Sequence, residues 1–106
     1  MNATELNVRL FQELGEERFL VEAPQEVAAS FYKGILAQPG LRKKFRKYGR
    51  TATRTILRSL IDQVPPETYA GLPPEVIGPY KDRILEELNR VGDCLVRGTK
   101  YGVSHG

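Results

Sequence analysis

The sequence predicts an all-α fold: a small bundle of about four helices, with a proline-rich connector between the third and fourth. Three observations carry this. Apolar residues recur at helical spacing in four separate stretches. Proline falls at the starts of those stretches or between them rather than within them. Arginine recurs at every fourth position, at Arg42, Arg46, Arg50, Arg54 and Arg58, which places five like side chains along one helix face.

The first helix is predicted over about 4–14. Thr4 suits the N-cap and Glu5 the first turn. Leu6, Leu10, Phe11 and Leu14 follow at helical spacing, and Gly15 suits the stop. Glu16–Glu22 reads as a short extended segment or turn. Pro24 starts the second helix, about 24–37, with Val27, Phe31, Ile35 and Leu36 on one face and Gln38, Pro39 and Gly40 ending it.

The third helix begins near Leu41. Leu41, Phe45, Tyr48, Ala52, Ile56 and Leu60 fall within a sector of about 120°, opposite the arginines. Gly49 costs up to ~1 kcal/mol inside a helix and marks where a break would fall. Thr51, Thr53 and Thr55 alternate as a strand would. The apolar period covers far more residues, so one long helix is the reading. Val64–Pro79 holds Pro65, Pro66, Pro73, Pro74 and Pro79 and forms the stiff connector. The fourth helix runs from Pro79 to about Arg97, with Ile84, Leu88, Val91 and Leu95 as a 4-3-4 seam and Gly98 as its stop.

The chain of 106 residues makes one helical domain, 1–106, whose polar end, 99–106, is expected to fray. Without Trp and with four Phe, the core is small, so stability is marginal or aided by a partner. The lone Cys94 allows no internal disulfide, which fits a reducing compartment, and its position beside the seam suits burial. No signal peptide and no apolar run of ~20 residues is present, so a cytoplasmic protein that does not enter a membrane is expected.

Charge is distributed unevenly. Between Glu26 and Asp62 lie nine cations and no anion. The remaining residues carry seven cations and thirteen anions, a net of −6 hidden beneath the overall +3. A solvated helix face ordinarily mixes signs, because like charges four apart repel. Arginine at every fourth position instead makes a ladder with steps of about 6 Å, and its planar fork suits phosphate.

The expected contact residues are Arg42, Lys43, Arg46, Lys47, Arg50, Arg54 and Arg58. Tyr48 is a candidate for base stacking; Phe31 and Phe45 read better as core. Internal neutralisation by Glu13, Glu17, Asp82 or Glu86 is the competing account of the same ladder.

Enzyme chemistry finds no support. His105 lies one residue from the end, Cys94 has no base in view, and one Cys with one His cannot make a structural zinc site. Glu16–Glu17 and Glu86–Glu87 are adjacent and so point about 100° apart on a helix. Lys100 lies in Gly-Thr-Lys-Tyr-Gly, which lacks the phosphate-loop spacing. No catalytic residue, metal or cofactor is expected. The chain reads as a non-catalytic nucleic-acid-binding protein, with single strands or RNA favoured, acting within a larger ribonucleoprotein assembly or homo-oligomer. The alternative is an adaptor whose arginine face docks an acidic protein surface.

Overall fold

The computed structural model describes residues 2–102, and every regular element among them is helical. There are three long helices rather than four: α1 (Ala3–Leu36), α2 (Pro39–Asp62) and α3 (Pro74–Arg97), with a 3₁₀ turn at Pro66–Tyr69.

The first two predicted helices are joined. Glu16–Glu22 is helical: Phe19 is fully buried, edge-on to Phe11 and 4.6 Å from the Tyr80 ring, and Arg18 bridges to Glu22 one turn on. Only Gly15 leaves helical geometry, at φ 78 and ψ 169. That conformation is nearly reserved for glycine, and it kinks α1 into two arms. Pro24 lies buried inside the second arm instead of starting it. Asn2, not Thr4, caps the helix, its Oδ1 accepting from Glu5 N at 2.8 Å. Val27 and Leu36, expected in the core, are exposed. The second arm instead packs through Pro24, Ala28, Phe31 and Ile35, a spacing that small alanine hides from hydropathy.

The first arm is tied down at long range. Thr4 Oγ1 donates to the Glu67 carbonyl at 2.9 Å, and Asn7 Nδ2 to that of Thr68 at 3.0 Å. Tyr80 donates its buried hydroxyl to Asn7 Oδ1 at 3.0 Å. Burial, with smaller contributions from Tyr69 and Glu26, pushes the Tyr80 phenol up to about 12.

Gly49, at φ 82 and ψ 176, kinks α2 and corrects the predicted face. Phe45 is buried as expected. Beyond the kink the buried residues are Thr53, Leu57 and Ile61 rather than Ala52, Ile56 and Leu60. The register slips by one residue, about 100° of rotation. Tyr48 and Leu60 stay 47% and 42% exposed.

The helix α3 starts at Pro74, five residues before the predicted Pro79, which sits inside it. Gly78, just before Pro79, has no Cβ to meet the proline ring. The proline-rich connector therefore joins the second helix to the third. It is shorter than predicted and contains the 3₁₀ turn. Ile84, Leu88, Val91 and Leu95 are all buried, as their spacing implies, together with Val76 and Tyr80. At Gly92, α2 and α3 come so close that an added Cβ would lie 2.9 Å from both Leu57 Cδ1 and Thr53 Cγ2.

Cys94 is half-buried at the edge of this core. Within the stretch expected to fray, Tyr101 is buried: its hydroxyl donates to Glu87 at 2.9 Å and its ring lies 5.6 Å from that of Tyr32. His105 lies outside the described residues.

Candidate nucleic-acid interface

All eight predicted contact residues lie on α2, divided by its kink. Arg42, Lys43, Arg46, Lys47 and Tyr48 precede Gly49; Arg50, Arg54 and Arg58 follow it. All are exposed except Arg54, which is half-buried. The slip in register decides where the last three sit. Arg54 and Arg58 come immediately after the buried Thr53 and Leu57, so they border the buried stripe rather than oppose it as predicted. From that border they reach α3.

The residue reached is Asp93. Arg54 Nη2 donates to Asp93 Oδ2 at 3.0 Å, and Arg50 Nε lies 3.5 Å from Asp93 Oδ1. Burial alone would raise the Asp93 carboxyl. The hydrogen bond and charge of Arg54, with the charges of Arg50 and Arg97, outweigh burial and hold it below the usual carboxylate range. Arg46 closes the same end of the molecule: a Cβ on Gly98 would sit 3.4 Å from Arg46 Nη2. Its guanidinium thus lies beside the C-terminal end of α3, the negative end of the helix dipole.

Internal neutralisation is therefore present in part, with a partner the sequence did not offer. Glu13 pairs with Arg9 and Glu86 with Arg83, each within its own helix. Among the described residues, Asp93 is the one carboxylate within ion-pair distance of the nine-cation window. Asp93 and Arg97 were missed because they lie on another helix.

Around the border runs a cleft of about 340 Å³ lined by Arg50, Thr51, Arg54, Thr55 and Arg58. The Thr55 hydroxyl donates back to the Thr51 carbonyl at 3.2 Å. The chain matches no family model, no curated protein and no solved structure. The chemistry of the cleft follows from its own side chains: its guanidinium forks are donors suited to oxyanions, while the Thr55 hydroxyl is already committed to the backbone. Among the described residues no cluster of His, Cys, Asp or Glu could hold a metal, and no helix is long and apolar enough to cross a membrane.

A second groove, about 480 Å³, lies between the arms of α1, with Leu6, Leu10, Val27 and Phe31 among its lining and Tyr80 of α3 beside them. Glu26 is its one charged residue, and no partner base accompanies it.

Proposed function

We propose that this protein binds the phosphate backbone of nucleic acid, without catalysis, through the kinked basic face of α2 and the adjoining end of α3. The observation that carries this reading is numerical. Nine cations crowd one acid-free window, and a single carboxylate, Asp93, approaches them. The uncompensated charge favours an external anion, and the cleft of Arg50, Arg54 and Arg58 presents guanidinium forks to a chain of them. Such a face suits a small subunit of a ribonucleoprotein assembly.

One observation favours a second reading. The fork already accepts a carboxylate, that of Asp93, so the acidic surface of a protein partner would fit it too. The deciding experiment replaces Arg42, Lys43, Lys47 and Arg58 by Gln, four cations with no carboxylate partner among the described residues. Fluorescence anisotropy then measures binding of a labelled oligonucleotide and of an acidic polypeptide. Loss of oligonucleotide binding at unchanged melting temperature is the expected result. Undiminished oligonucleotide binding sinks the proposal, and tighter binding of the acidic polypeptide by the parent protein transfers the face to the adaptor reading.

A further inference from the structure

The kink in α2 leaves an aromatic ring in an unusual place. Tyr48 immediately precedes Gly49, at the corner where the two basic segments meet. Tyr48 remains 47% exposed although five of the other eight aromatic residues are buried and the remaining three pack partly buried against the core, and its hydroxyl makes no hydrogen bond among the described residues. Its one aromatic neighbour, Phe45, stands at 80° with centroids 6.1 Å apart, so no ring lies parallel to it. Lys44 lies one helical turn before it on the same helix face, and Lys47 and Arg50 flank it in sequence, so the ring is bordered by cations of both basic segments.

We propose that Tyr48 is a stacking platform for an unpaired base, and that the ligand of the basic face is accordingly a single strand rather than a duplex. This rests on the nucleic-acid reading above and adds the ligand class. The physical reason is accessibility. In a duplex every base is already stacked between neighbours, and only phosphates and groove edges face a protein. In a single strand a base can turn out and lie on an aromatic face while the cations follow its backbone. A kinked line of cations also suits a flexible strand better than a stiff rod.

The test compares three labelled probes of equal length: an oligothymidylate, a duplex, and an abasic strand that keeps the phosphates but lacks bases. The protein is used whole, as the parent, Tyr48→Leu and Tyr48→Phe. The parent should bind the oligothymidylate more tightly than the duplex. Tyr48→Leu should weaken the oligothymidylate about five- to hundredfold, leave the abasic strand and the duplex unchanged, and melt with the parent. Tyr48→Phe keeps the ring and should retain binding. Equal losses on abasic and base-bearing strands, or no loss, or a parent that prefers the duplex, would overturn the proposal while leaving the phosphate reading standing. Failure of the parent to bind any probe removes both.

Discussion

At Asp93 one carboxylate holds two guanidiniums that a ligand would also use, so its removal has opposite effects on folding and on binding. Arg50 and Arg54 are 61% and 40% exposed, which limits the pair to about 1 kcal/mol or less. The Asp93 carboxyl is held down in the folded chain. Its stabilising contribution is therefore complete above the ordinary carboxylate pKa of about 3.9 and disappears as pH falls through the folded value. Asp93→Asn should melt slightly lower than the parent at neutral pH, and the two melting curves should converge in acid. A difference that persists at the lowest pH would mean the carboxylate acts by packing rather than charge. At neutral pH the same variant should bind an oligonucleotide roughly fivefold more tightly, since one charge near 4 Å is worth about 1 kcal/mol in water.

The elements separate what periodicity can reveal from what it cannot. The 4-3-4 seam of α3 was legible because Ile84, Leu88, Val91 and Leu95 are large and apolar. The buried register of the second arm of α1 was not, because Pro24 and Ala28 carry little hydropathy. In α2 the apolar period misled beyond Gly49: one residue with φ 82 turned the remaining helix, and Thr53 went inside in place of Ala52. The basic face was readable as a set of residues, but its neighbour Asp93 was not, because tertiary contact alone joins α2 to α3. Two glycines with open space around their Cβ positions test the kink. Gly49→Ala forces an L side chain into a conformation nearly reserved for glycine and should cost about 1–3 kcal/mol. Gly34→Ala, in regular helix with open space around its Cβ position, should gain up to ~1 kcal/mol. Urea unfolding reads both; equal signs would show that Gly49 is not held in its kinked geometry.

For the whole molecule, charge segregation sets the scale of any association. Arg42 to Arg58 would span about 24 Å along a straight helix, against a longest molecular dimension of 39 Å. Four phosphate contacts along that span imply that log affinity falls with log salt at a slope near −3 for a single strand. A flat dependence would contradict a backbone-binding protein of this kind.

The missing side chain at Gly92 links the hydrophobic interior to the charged exterior. Leu57 and Thr53 fill the space its Cβ would occupy, and the next residue along α3 is Asp93. The interhelical gap at Gly92 thus adjoins the place where the carboxylate meets the arginines, and widening it would move Asp93 away from them. A single methyl group there, in Gly92→Ala, should lower the melting temperature by overpacking, at about 1–3 kcal/mol. It should also loosen the Asp93 pairs and so raise affinity for a polyanion. A steric change inside the protein would then be read as an electrostatic one on its surface, measurable as tighter binding by a less stable molecule.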